Sequence, residues 1–406
     1  MNSNPRKRSF APLGHWLPAL LAAATLALLS ALPGCGGGVG TGGTGGEAAA
    51  FASGPITGFG SVIVNGVRFD DTAANVEDGD GGSRGRDELR LGMTVEVDSG
   101  AITTTSTGST ASATRIRFES ELVGPVGSID AAGGSFTMLG QRVEVDSATV
   151  FDESLDGGLD GLRAGRMVEV YAVYDPAAAR YRATRVERAQ SDSALRLRGQ
   201  LNQVDTVAQT VRVGGTTYAY AGASVVPATL AVGQYVRLRL GLATNPVRWV
   251  VQSFGAALRD LPDGDDAKLK GLISAYTSAT IFSVSGRPVD ASAASFPDGR
   301  TGLAVGVRVE VEGRVSGGVL RATKVSIESD EQASNRDFEI SGSISAVNAA
   351  QSSFVLRGQT VSTTRQGLVY EGGAAADIKV GAKVEVRGRL SADRQRVEAT
   401  RIKFDD

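Results

Sequence analysis

The chain predicts an all-β protein: about five small β-barrel repeats in tandem, following an export segment and a glycine tether. Three observations carry this. Short Val-rich runs alternate with period two, so one face is buried and the other wet. Glycine makes up 53 of 406 residues, near twice the usual share of about 7%, as many tight turns between short strands require. A single motif recurs at intervals of roughly 70 residues, longer than most solenoid repeats and suited to a small independent barrel.

The N-terminus comes first. Arg6, Lys7 and Arg8 form a positive region, and Leu17 to Leu32 is an apolar, Ala/Leu-rich stretch. It is short for a spanning helix, which needs about 20 apolar residues. It ends in Leu32-Pro33-Gly34-Cys35, which resembles the lipobox of bacterial lipoproteins. The resemblance implies cleavage before Cys35 and lipidation of that residue, making 1–34 a signal peptide and the membrane a partner through the anchor. The plainer alternative is an ordinary signal peptide with an incidental cysteine. Residues 35–50 are a Gly-rich tether with a mean reach of about 15–20 Å. Gly36 stands where inner-membrane retention favours Asp, so by similarity the address is the outer membrane, on its periplasmic face or the cell surface.

The repeats are expected at 51–120, 121–191, 192–258, 266–330 and 335–406. Each carries Leu, two residues, Gly, two residues, then Val-x-Val or a relative. The copies are Leu89/Gly92/Val95/Val97, Leu162/Gly165/Val168/Val170, Leu230/Gly233/Val236/Leu238, Leu303/Gly306/Val309/Val311 and Ile378/Gly381/Val384/Val386. A Gly-x-Ile or Gly-x-Leu opening lies upstream at Gly127, Gly199, Gly271 and Gly342. An Ala-Thr-Arg/Lys-Ile/Val strand follows at Ala113, Ala183, Ala322 and Ala399, and the third repeat replaces it with Val247-Arg248-Trp249-Val250. The motif's Leu is expected to plug the barrel and its Gly to free the backbone. Closed barrels are preferred to flat sheets because closure leaves no exposed edges. The junction Phe118 to Leu122 has almost no slack and predicts a stiff joint. Polar linkers are expected at 261–266 and 329–337.

The opening from Ser53 to Phe69, SGPITGFGSVIVNGVRF, resembles a family of uncharacterised bacterial envelope lipoproteins. These carry tandem OB-like barrel domains of unknown function. The resemblance implies an OB-like fold and an envelope address, and it brings no catalytic residues.

Composition excludes several chemistries. The single histidine, His15, lies in the export segment, and Cys35 is the lone cysteine. The mature chain therefore has no Ser-His-Asp or Cys-His set, no His-ligated zinc and no disulfide. Neither a nucleophile elbow, a phosphate loop nor a dinucleotide fingerprint appears. Removing the three basic residues of the export segment leaves 39 basic and 44 acidic residues, a net charge of −5 and no basic field for nucleic acid.

Two candidate sites stand out. Tyr171, Tyr181, Tyr235, Arg237 and Trp249 are read as outward-facing groups able to stack on a sugar ring or small ligand. The structural alternative is that these rings fill joints between barrels. The loop Glu77-Asp78-Gly79-Asp80-Gly81-Gly82 makes Asp78 and Asp80 weak calcium candidates, but it lacks the six to eight oxygens calcium takes, so a solvated turn is preferred. No cofactor and no metal are expected. The reading is a non-enzymatic, lipid-anchored envelope protein acting as a spacer or protein-binding scaffold. The alternative is a glycan- or small-ligand-binding protein, and an enzyme without His or Cys comes third.

Overall fold

Each repeat closes through the same circuit of five strands. Barrel 2 shows it: Leu122–Asp130, Ser135–Met138, Gln141–Glu144, Met167–Asp175 and Arg180–Arg188 are its first to fifth strands. First pairs second, second pairs third, and third pairs fifth in parallel; fifth then pairs fourth, and fourth returns to first. The same circuit runs through 50–118, 196–256, 266–327 and 338–404. This ring is a five-stranded Greek-key barrel of the OB type. The computed structural model describes residues 50–405 apart from 191–192, 245–246, 262, 265 and 329–336. The export segment, Cys35, the glycine tether and most of the 329–337 linker lie outside the described residues.

Local chemistry explains the ring. The second and third strands meet in two-residue turns with left-handed backbone, as at Asn65-Gly66 (φ 52° and 74°) and Arg357-Gly358 (φ 50° and 71°). Such turns match the right-handed twist of a tight hairpin. The motif glycines, Gly92, Gly165, Gly233, Gly306 and Gly381, all have φ between 81° and 90°, where a side chain would be strained. Each donates its N–H to the carbonyl of one buried aliphatic residue on the first strand: Ile56, Val126, Leu201, Ile273 and Ile344 respectively. That residue's own N–H donates back to the carbonyl next to the glycine. The motif is thus a bracket that fixes the first strand to the start of the fourth.

The bracket corrects one expectation. In barrel 2 the residue equivalent to Ile56 and Ile273 is Val126, so the opening is Gly124-Pro125-Val126 rather than Gly127-Ser128-Ile129. A β-bulge lies just beyond, between the pairs Phe136–Ile129 and Met138–Val126. A period-two reading slips at such a bulge.

The barrels are not beads on a string. The first strand of barrel 1, Ala50–Phe59, is a shared spine: its start pairs in parallel with Asp266–Leu269 of barrel 4, and its end with Glu339–Ile340 of barrel 5. Barrels 2 and 3 join through Leu122–Val123 and Arg196–Leu197. One continuous core spans barrels 2 and 3, and a second spans barrels 1 and 5 with Val150 and Tyr171 of barrel 2 inserted. The third fills barrel 4 and takes in Phe51 of barrel 1. The hairpin tip of barrel 5 docks on barrel 2, where the Gln395 side chain donates to the carbonyls of Asp152 and Leu155.

Candidate functional site

The short junction between barrels 1 and 2 buries Glu119, Ser120 and Glu121. With no spare residues, the chain carries these polar groups straight into the meeting point of four barrels. Buried carboxylates must be paired, and arginines from other barrels converge on them. Arg198 of barrel 3 contacts Glu121 at 3.2 Å and Glu119 at 3.5 Å. Arg237 of barrel 3 reaches Glu119 at 2.9 Å. Glu96 of barrel 1 holds Arg259 at 3.0 Å and Arg287 of barrel 4 at 2.5 Å. Glu96, Glu119, Glu121, Arg198 and Arg287 line a cavity of about 90 Å³, enough for a few waters.

Within this network the carboxylates behave differently. Burial alone would raise Glu96, but Arg287 and Arg259 outweigh it and hold its carboxyl below the usual range. Glu121 accepts the Ala172 N–H at 2.9 Å and shares Arg198 with Glu119. Burial dominates there and pushes Glu121 up to about 7 from its ordinary 4.5. Between those values the folded protein holds a proton that the unfolded chain has released. Stability from this group is therefore full below pH 4.5, falls as pH rises to 7, and is flat above, a total of about 3 kcal/mol. Urea midpoints measured from pH 5 to 8 should show that decline in the wild type and a shallower one in Glu121→Gln. Parallel profiles would mean that Glu121 stays ionised throughout.

A larger cleft of about 470 Å³ opens between barrels 1 and 2. Its floor is the outer face of the hairpin formed by the fourth and fifth strands of barrel 2, where Glu169 lies opposite Glu187 and Tyr171 opposite Arg185. The Arg185 guanidinium is nearly sealed and contacts Glu187 at 2.6 Å and Asp152 at 2.9 Å. It also donates to the Leu91 carbonyl of barrel 1. Glu169 is raised by burial, against a lowering hydrogen bond from the Ser120 side chain; the Glu187 charge adds to the rise, and Arg196 and Arg84 oppose it. Barrel 1 supplies the facing wall, including Asp78, Asp80 and Glu88.

The residues singled out from sequence do not form one exposed patch. Tyr171 does point out of its own barrel, but barrel 1 covers it: it is 1% exposed and packs in the shared core of barrels 1 and 5. Tyr181 lies inside barrel 2, 0% exposed, 4.9 Å from Tyr174, and donates its hydroxyl to the Arg198 carbonyl. Neither face is open for stacking, so their reading as ligand-binding rings is corrected to a packing role. Tyr235 lines the central cavity against Gly286 of barrel 4. Arg237 is spent on Glu119, Asp80 and the Gly79 carbonyl. Trp249 packs half-buried on the core of barrels 2 and 3, opposite exposed Leu242.

The acidic loop is also occupied. Burial would raise Asp78, but Arg84 and the N–H groups of Gly82 and Asp80 outweigh it and hold it low. Asp80 is taken by Arg237 at 2.8 Å and Arg196 at 3.5 Å. As calcium ligands Asp78 and Asp80 are therefore corrected: their oxygens face arginines. Among the described residues no group of three His, Cys, Asp or Glu is placed to hold a metal.

The fold and junction define a tandem array of OB-type barrels locked together by shared strands and buried ion pairs. Three segments, 123–187, 270–326 and 341–403, match the family model described as "Domain of unknown function (DUF5666)". They fall in barrels 2, 4 and 5. No curated protein matches the chain. Among solved structures, a chain titled "drosophila Unr CSD456" is similar at 12% identity, covering 56% of this chain and 99% of that chain, with a TM-score of 0.15.

Proposed function

We propose that the protein is a non-enzymatic, lipid-anchored component of the cell envelope that acts as a compact binding scaffold. The carrying observation is the shared spine Ala50–Phe59, which pairs with barrels 4 and 5 at once. A spacer gains reach by joining domains end to end, and these barrels pack side by side instead. A block with several barrel faces turned outward suits assembly of partners at a membrane surface. Support for the anchor is the Leu32 to Cys35 sequence and the glycine run behind it. Expressed in a Gram-negative host, the wild type should take up labelled palmitate and sediment with outer membranes, and Cys35→Ser should be found in the soluble fraction. Membrane sedimentation of Cys35→Ser equal to wild type would remove the anchor from this reading. Cross-linking in living cells tests the scaffold: a specific protein partner is expected. Recovery of polysaccharide with no protein would favour a ligand-binding role instead. That second reading rests on the 470 Å³ cleft and no longer on the aromatic residues.

A further inference from the structure

We propose that one end of barrel 3 is a membrane-docking tip, which seats Val207, Leu242 and Trp249 in an anionic lipid surface. Comparison of the repeats shows that this end lacks a cover. In barrels 2 to 5 a β-bulge offsets the fourth and fifth strands. The third pair beyond it is Tyr174–Tyr181, Leu242–Trp249, Val315–Leu320 and Leu390–Val397 respectively. Tyr174, Tyr181, Val315, Leu320 and Val397 are all buried. In barrel 2 the cover is the next barrel, since the Tyr181 hydroxyl donates to the Arg198 carbonyl. In barrel 3 the same pair is open: Leu242 is 52% exposed, and Trp249 is half-buried. Val207 belongs to the same end. It lies in the turn before Thr210, which pairs with Ala219, and Ala219 pairs with Val250 beside Trp249. The Asp205 carboxylate accepts the Val207 and Ala208 N–H groups, and the Val207 side chain is left 95% exposed. The matching turns of barrels 2 and 5 carry Ala131-Ala132-Gly133 and Ala349-Ala350-Gln351 instead.

Charge decides what covers the tip. Residues 193–258 hold six arginines and one acid, Asp205, in a chain whose net charge is −2. Arg196, Arg198 and Arg237 pair with acids outside barrel 3. Arg212, Arg239 and Arg248 are exposed, and among the described residues none of them forms an ion pair. Counted along the strands, all three lie within about 10 Å of the level of Leu242 and Trp249, about one Debye length at 0.1 M salt. They repel a second copy of this end and attract an anionic surface. A tryptophan and aliphatic side chains among arginines suit the boundary between headgroups and acyl chains. The inference rests on the lipid-anchored reading for bringing the tip near a bilayer, and the chain is long enough. The fifth strand, Val247–Ala256, spans about 33 Å and leads to Arg259, whose guanidinium carbon is 5.0 Å from the Phe51 ring centre. Residues 35–50 end beside Phe51 and reach about 50 Å when fully extended.

The probe is a vesicle of equal parts phosphatidylcholine and phosphatidylglycerol, compared with one of phosphatidylcholine alone. The full mature chain carries Cys35→Ser, so that no acyl chain contributes. It is expected to sediment with the anionic vesicles and to leave the neutral ones largely unbound. Apart from Trp16 of the export segment, Trp249 is the only tryptophan, so the fluorescence of the mature chain reads the tip. Its emission should shift to the blue on anionic vesicles and be quenched by brominated acyl chains. Leu242→Asp should weaken binding about tenfold or more. Arg248→Gln should weaken it about fivefold, the effect of one arginine at an anionic surface. Both positions are exposed, and thermal melts check that the variants are folded. The proposal is overturned if the anionic vesicles are not bound, if Trp249 emission stays unchanged on binding, or if folded Leu242→Asp binds as well as wild type. A dimer in sedimentation equilibrium that Leu242→Asp disperses would assign the tip to a second copy and overturn it too. Vesicle binding by this variant together with failed palmitate uptake by the wild type would remove the anchor and leave the tip standing.

Discussion

Replacing Arg198 with methionine should cost about 3–5 kcal/mol at pH 7.5, the loss expected when one partner of a buried ion pair is removed. Arg198 is the cation shared by Glu119 and Glu121, and its side chain also donates to the Ala257 carbonyl. Methionine fills much of the same space, so packing loss is kept small. What is left behind is two buried carboxylates, with Arg117 and Arg237 still near Glu119 and, among the described residues, no other cation paired to Glu121. The penalty should shrink at pH 5.5, because Glu121, already raised to about 7, takes a proton and ceases to be a buried charge. Adding Glu121→Gln to Arg198→Met should recover most of the loss at pH 7.5. Urea denaturation of the three variants at both pH values is the measurement. An equal loss at both pH values, unrelieved by the second substitution, would show that Arg198 acts through packing alone.

The barrel architecture was legible because it is written in short-range patterns. Val168-Glu169-Val170 alternates, a left-handed turn needs Asn65-Gly66, and the bracket needs a glycine at 92, 165, 233, 306 and 381. Reading failed where one barrel meets another. The outward direction of Tyr171 followed from Val168 and Val170 facing in, yet nothing local says that barrel 1 covers it. Arg198, Glu119 and Glu121 look like ordinary solvated charges, because the pairing that buries them joins residues nearly 80 positions apart. The one signal available was the missing slack at Phe118–Leu122. It implied a stiff joint, and a stiff joint between repeats must bury whatever residues it contains. The Glu169–Glu187 opposition was also readable in principle once the two strands were aligned, but a β-bulge between Tyr171 and Ala172 hides the register from simple counting.

Phe51→Ala should be the most damaging single substitution outside a barrel interior, with a loss of about 3–5 kcal/mol. Phe51 belongs to the first strand of barrel 1 but is fully buried at the joint with barrel 4, packed against that barrel's core residues. The guanidinium carbons of Arg259 and Arg287 both sit 5.0 Å from its ring centre, within cation–π range. Those arginines are themselves tied to Glu96, so the ring, the two cations and the carboxylate form one joint. Truncation removes the apolar surface that seats both guanidiniums and leaves a cavity where the strands of barrels 1 and 4 pair. The consequence should be spatial as well as energetic. If the spine makes the five barrels one cooperative body, wild-type urea unfolding is a single transition, and Phe51→Ala splits it. Barrel 4 should loosen first, with new protease cleavage around Arg259 to Leu261. A wild type that already unfolds in several steps, or a Phe51→Ala variant that loses stability uniformly, would mean that the joint does not hold the barrels together. The distinction bears directly on function, since a scaffold needs fixed geometry between its faces and a spacer does not.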